Sequence, residues 1–195
     1  MDTHTPTREE AWALLNEYND DASLIKHALA VEGVMRCMAR KRGQDENTWG
    51  LVGLIHDLDY QRWPEEHCRH TGKLLKEAGW PDDLIRAALS HGWGICSDVE
   101  PQTDLEKTLF AIDELTGLIV ACALVRPSKS VMDLRVKSVK KKWKDKRFAA
   151  GADREIIQKG ADMLGVPLEE LIEDTIAGMR EVADAIGLGS APSEE

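Results

Sequence analysis

The stretch GLIHDLDY, Gly53 to Tyr60, breaks an apolar run with a histidine beside an aspartate, then adds a second aspartate. The pattern asks for core side chains here, yet the chain supplies the ionisable groups His56 and Asp57. Two explanations compete: a polar pair that happens to end a helix, or part of a metal site. A carboxylate is costly to bury unless it is paired or metal-bound. The residues around the stretch must decide between them.

The lead-in, WGLVGLIHD, places Gly50 and Gly53 six and three positions before His56. Small residues there let a neighbouring helix approach closely. Helical periodicity extends outward on both sides. Upstream, Arg8 to Tyr18 sets Trp12 and Leu15 on one face. DASLIKHALAVEGVMRCMARK then spaces Leu24, His27, Ala28, Val31, Val34, Met35 and Met38 along a second helix, stopped by a basic end and Gly43.

The third helix is expected from Asp45 or Asn47 to Leu58, with the His-Asp pair in its last turn. A fourth runs over Glu65 to Ala78, and a fifth from Pro81 to near His91. Thr103 with Glu106 resembles a capping box for a long helix reaching about Val125. A basic helix, one over Arg154 to Leu164 and one starting at Pro167 complete the chain. No alternating hairpin pattern and no repeat interrupts them, so the expected fold is all-α. The expected divisions are an N-terminal helix and tail (1–20), a helical core (21–126), a C-terminal helical extension packed on it (127–188) and a disordered tail (189–195).

With 195 residues, 43% of them apolar and 31% charged, the composition is that of an ordinary globular protein. Its net charge of −10 argues against a surface devoted to nucleic acid. The basic run RVKSVKKKWKDKR, Arg135 to Arg147, carries +7 and leaves −17 for the rest. Such a run is either a solvated helix face or a contact for phosphate. The four cysteines form no CxxC pair and read as reduced, mostly buried thiols of a cytoplasmic protein. The longest apolar stretch, Leu118 to Val125, is too short to cross a bilayer, and the N-terminus has no signal-peptide pattern. Neither a membrane nor a stable nucleic-acid partner is expected; the composition allows a homo-oligomer.

Five of the six histidines, His27, His56, His67, His70 and His91, fall within one stretch spanning four successive helices; His4 lies in the polar tail. Imidazole suits borderline metals, and carboxylates add hard oxygen ligands. The order His27, then His56-Asp57, then Asp113, within SLIKHALAV, GLIHDLDY and AIDELTGLI, resembles the signature of the HD-domain superfamily of metal-dependent phosphohydrolases. The resemblance covers roughly Ser23 to Val125. It implies a helical bundle in which His27, His56, Asp57 and Asp113 bind a metal.

Many such enzymes hold a second metal through two further histidines, and by that likeness His67 and His91 are assigned to it. His70, one turn beyond His67, is its competitor. Adjacent residues on a helix diverge by about 100°. Either one metal gathers His56 and Asp57 where the helix end loosens, or Asp57 bridges two. Departures are also visible: Leu58-Asp59-Tyr60 stands where HDIG relatives have Ile-Gly-Lys, and a glutamate typical of single-metal nucleotidases is missing. SHGWG lacks the elements of the cyclic-dinucleotide branch.

The resemblance implies hydrolysis of a small phosphorylated molecule or nucleotide by hydroxide generated on one or two divalent ions (Mn, Fe, Co, Ni or Zn, with Mg a further option). Asp57 would bridge, and Asp59 would serve as a base or hydrogen-bond acceptor, unless it is an exposed turn carboxylate. An anionic substrate needs local positive charge. Arg154 and the basic run around Lys141 are candidate phosphate contacts, and Trp93 is a candidate pocket wall. Two alternatives remain: a di-iron oxygenase of the same fold, and a non-catalytic regulatory domain that retains metal.

Overall fold

The structure, a computed structural model, describes residues 5–189. His4 and positions 190–195 of the expected tail lie outside the described residues. Nine α-helices are present among the described residues: α1 Arg8–Tyr18, α2 Ala22–Lys41, α3 Glu46–Ile55, α4 Arg69–Glu77, α5 Asp82–Ser90, α6 Asp104–Leu124, α7 Val136–Trp143, α8 Arg154–Leu164 and α9 Leu168–Glu181. The extended pairing there is a single bridge between Trp93 and Ser97. The fold is all-α.

The ends of these helices follow local chemistry. Thr7 and Glu10 close a capping box on α1, and Thr103 with Glu106 closes another on α6. Asp21 caps α2, Asp45 caps α3 and Asp153 caps α8, each accepting from two backbone N–H groups.

Helices α2, α3 and α6 form the centre of the bundle. Met35, Met38, Leu54, Ile55, Phe110, Ile112, Leu115 and Leu118 are fully buried within it. Gly53 lets α3 lie against α2: a Cβ there would stand 3.1 Å from the Val31 carbonyl and 3.2 Å from Glu32 Cα. Helix α8 docks on α6 through Gly160, where an added Cβ would lie 2.4 Å from Ala111 Cα. Helix α9 meets α2 at Gly178 in the same way, against Val34.

Two expected boundaries move. Helix α3 ends at Ile55, with His56 as its C-cap, so the His-Asp pair follows the helix rather than filling its last turn. The expected fourth helix is broken. A short 3-10 turn, Pro64–Glu66, is separated from α4 by His67 and Cys68, and the φ of Cys68, 71°, is in the left-handed region. The break has a distant cause: the Asp59 carboxylate accepts from the backbone N–H groups of Cys68, His70 and Thr71 and so caps α4 from outside.

Candidate metal centre

His27 comes from the first third of α2, His56 and Asp57 from just beyond α3, His67 from the turn before α4, His91 from the end of α5, and Asp113 from the middle of α6. The bundle brings these six residues together. On one side, His27 Nε2 lies 2.9 Å from Asp113 Oδ1, and His56 Nε2 lies 3.3 Å from the same oxygen. Asp57 Oδ2 faces this group, 3.4 Å from His56 Nε2 and 3.8 Å from His27 Nε2. On the other side, Asp57 Oδ1 lies 3.2 Å from Nε2 of both His67 and His91, which are 3.1 Å from each other. One carboxylate thus presents each oxygen to a different set of nitrogens.

Backbone and carboxylate acceptors fix the orientation of three imidazoles. His56 Nδ1 donates to the Gly53 carbonyl at 2.8 Å, and His91 Nδ1 donates to the Ala88 carbonyl at 2.6 Å. Both histidines are C-caps, and each uses a carbonyl from the last turn of its own helix, where internal donors run out. His67 Nδ1 donates to Asp59 Oδ1 at 2.7 Å. In all three, Nε2 is left to face the centre, an arrangement typical of metal-bound histidine.

The donor set fits a cation. His56 Nε2 is fully buried and has no hydrogen-bond partner of proper geometry, although two carboxylate oxygens stand nearby. His67 and His91 point nitrogen at nitrogen, which calls for a shared positive charge. Titration behaviour agrees. Burial disfavours the charged form of His56, but Asp57 and Asp113 outweigh it and hold its pKa well above the ordinary value. Burial would raise Asp113, yet His56 and His27 pull it below the usual carboxylate range. Without metal the centre is driven to keep a proton among its acids and imidazoles. That requirement is met as well by a divalent ion.

A cavity of about 530 Å³ opens onto the centre, within the size range of small-molecule sites. His27, Asp57, His67, His91 and Asp113 form its floor. Leu24, Ile95, Ala149 and Ala152 supply much of the wall, and Tyr60 and Glu114 add polar groups at the side. Burial and the neighbouring Asp113 push the Glu114 carboxyl up to about 6.

The remaining site expectations fare differently. Asp59 is completely buried, not an exposed turn carboxylate. It does not line the cavity and acts as an acceptor that orients His67 and α4. His70 stacks on Trp63 with ring centroids 4.3 Å apart and pairs with Glu66, so it turns away from the centre.

None of the three expected substrate contacts, Arg154, Lys141 and Trp93, lines the cavity. Arg154 spends its guanidinium on the carbonyls of Phe148, Ala149 and Ala152; it clamps the loop that forms one wall instead of reaching a ligand. Lys141 is exposed on α7, and its neighbour Lys140 pairs with Glu169 of α9. Trp93 packs on Phe110 beneath the Lys159 ammonium, which lies 3.4 Å from its ring centroid.

Sequence reasoning missed Glu114 and the two thiols near His67 and His91. Glu114 follows Asp113 directly, and only the packing of α8 and its preceding loop turns it into a cavity residue. Its carboxylate accepts from the Asp153 N–H at 3.1 Å. Cys68 and Cys96 lie 28 positions apart, a spacing without a motif. Hydrogen bonding from Cys68, with help from His67, pulls the Cys96 thiol down to about 5.

The bundle gathers four histidines and two aspartates from five helices and their ends, a set of side chains that could hold metal ions. Residues 24–118 match the family model of the HD domain, and this part of the chain is an HD domain. Every residue of the six lies inside the matched segment. No solved structure gives a significant match. No helix among the described residues is long and apolar enough to cross a membrane.

Proposed function

We propose that the chain is a metal-dependent phosphohydrolase with a dinuclear centre, acting on a small phosphorylated molecule or nucleotide. The observation that carries this reading is the Asp57 carboxylate, with one oxygen toward His27, His56 and Asp113 and the other toward His67 and His91. His27, His56 and Asp113 would hold one ion, His67 and His91 the other, and Asp57 both. Two divalent ions over two carboxylates leave about +2 on the cavity floor, which supports binding of a phosphate dianion without help from Lys or Arg. When bound, such ions lower the pKa of water and neutralise a phosphoryl oxygen.

The chain's own residues supply the rest. Asp57 and Asp113 hold the charge in register, and Asp59 keeps His67 from rotating. The Tyr60 phenol, 44% exposed at the cavity edge, occupies the place of the lysine in HDIG relatives and serves as a hydrogen-bond donor to substrate oxygen. Glu114 holds or accepts a proton at the side of the cavity. The apolar wall limits water and favours a substrate with a neutral or apolar body.

The test is a phosphate-release screen over phosphomonoesters, nucleotides and cyclic nucleotides with Mn²⁺, Co²⁺, Ni²⁺ or Mg²⁺. Turnover lost in His27→Ala and Asp57→Asn together with metal supports the reading. Full metal loading with no hydrolysis of any member removes it. One feature favours a second reading, a di-iron oxygenase: among the described residues no Lys or Arg lines the cavity, which suits an uncharged C–H substrate. Substrate-dependent oxygen uptake by the iron-loaded protein would select it.

A further inference from the structure

Two cysteines stand beside the histidines of the second half-site. One ring nitrogen each of His67 and His91 and the sulfurs of Cys68 and Cys96 all lie within 4.8 Å of one another. With bonds of about 2.0–2.1 Å to nitrogen and about 2.3 Å to sulfur, neighbouring donors around a zinc ion sit roughly 3–4 Å apart. The His67–His91 separation of 3.1 Å is already close to that spacing. We propose that Cys68 and Cys96 join His67, His91 and the near oxygen of Asp57 around the second ion, giving that half-site two thiolates and a preference for a borderline cation such as zinc or ferrous iron. The inference deepens the dinuclear reading and rests on it for the histidines.

Two further features of the backbone serve this cluster. Cys68 is held at φ 71°, a backbone conformation that a residue with a side chain rarely adopts. The kink brings the side chains of the neighbours His67 and Cys68 to one point, which a continuous helix could not do. Gly92 is the second feature. A Cβ on it would lie 2.2 Å from the Cys96 sulfur and 2.7 Å from the Cys68 sulfur. The sulfurs therefore occupy the space that any other residue at 92 would fill. The loop holding Cys96 is tight, with the N–H groups of Ile95, Cys96 and Ser97 all donating to the Gly92 carbonyl.

Thiolate ligands change the choice of metal. Magnesium and manganese prefer oxygen donors, whereas zinc, iron and cobalt accept sulfur. As each sulfur–metal bond forms, the sulfur contributes a lone pair and the thiol proton passes to solvent, so loading releases up to two protons per ion.

The experiment loads the metal-free protein with Co²⁺ and records its absorption spectrum, together with the rate of Cys96 alkylation before and after Zn²⁺ addition. A near-ultraviolet sulfur-to-cobalt charge-transfer band is expected. It should disappear in the Cys68→Ser, Cys96→Ser double variant, while the His27, His56 and Asp113 half still binds. Loss of the thiolates should weaken zinc at this half by at least about 10- to 100-fold, the range for partners one step removed from a metal.

Zinc should protect Cys96 from alkylation in the unaltered chain and leave Cys37 as reactive as before, a readout that needs no variant to fold. Two bound cobalt ions without the band, or a Cys68–Cys96 disulfide that persists with zinc present, would overturn the thiolate site and leave the dinuclear reading standing. Failure to bind any cobalt would overturn both.

Discussion

Replacing Asp59 with asparagine tests how the centre is held. The carboxylate is completely buried and takes four hydrogen bonds: from His67 Nδ1 at 2.7 Å and from the N–H groups of Cys68, His70 and Thr71 at 3.3, 3.0 and 2.9 Å. Asparagine keeps the shape but accepts on one oxygen only, and turns its own N–H₂ toward two of these donors. Each stranded buried donor costs about 1–3 kcal/mol, so the variant loses about 3 kcal/mol. For a chain of this size that lowers the melting temperature by roughly 6–12 °C.

His67 also loses the partner that fixes its tautomer. Metal affinity at the His67 and His91 half should fall about 10- to 100-fold, with the His27 half unaffected. Thermal unfolding of metal-free protein and competition titration of the loaded protein read the two effects separately. Hydrogen bonds from His67 and the Thr71 N–H hold the Asp59 carboxyl below its ordinary value although burial opposes them. Its stabilisation is therefore complete above the unfolded pKa and is lost as pH falls through the lower folded value. The gap between native chain and variant should close in acid. A melting temperature within about 2 °C of the native chain at neutral pH, with both affinities intact, would mean that Asp59 holds neither α4 nor His67 in place.

Glu114, pushed up to about 6, makes the opposite contribution. Metal-free protein should lose on the order of 1 kcal/mol as pH rises from about 4.5 through 6, after allowance for solvent screening. Glu114→Gln should abolish that slope in a pH series of denaturant melts. Gly160→Ala should cost about 1–3 kcal/mol or more, because its Cβ would meet the Ala111 backbone at 2.4 Å and push α8 off the Asp113 helix; chemical denaturation measures it. Arg154→Ala should lower stability and expose the 148–152 loop to proteolysis, since three carbonyls lose their donor. Lys141→Ala should stay within about 0.5 kcal/mol of the native chain and leave the Michaelis constant unchanged. A raised Michaelis constant for the lysine variant would return the basic run to the active site.

What the sequence disclosed and what it concealed divide along a physical line. Helices α1, α2, α6 and α8 were legible because their caps and apolar stripes are local, from the Thr103–Glu106 box to the Val31–Met38 face. The convergence of His27, His56, Asp57 and Asp113 was legible only by family likeness, since no local pattern joins α2 to α6. The break at Cys68 was not legible. Its residues read as one helix, and the force that divides it comes from Asp59 across a turn. Arg154 misled for a related reason: a guanidinium near a helix start suits phosphate, and here three backbone carbonyls reach it first. The run from Arg135 to Arg147 showed its charge but not its direction, because nothing in a stretch of lysines says which way the helix faces.

Everything proposed for the centre depends on Asp57 joining two metal positions. Equilibrium dialysis of the metal-free chain against zinc, with metal counted per chain for the native protein and for Asp57→Asn, tests it most directly. The native chain should bind two ions, and the variant should hold both more weakly, because each set of nitrogens loses one carboxylate oxygen. A single ion in the native chain, or two ions bound as tightly after the substitution, would contradict it.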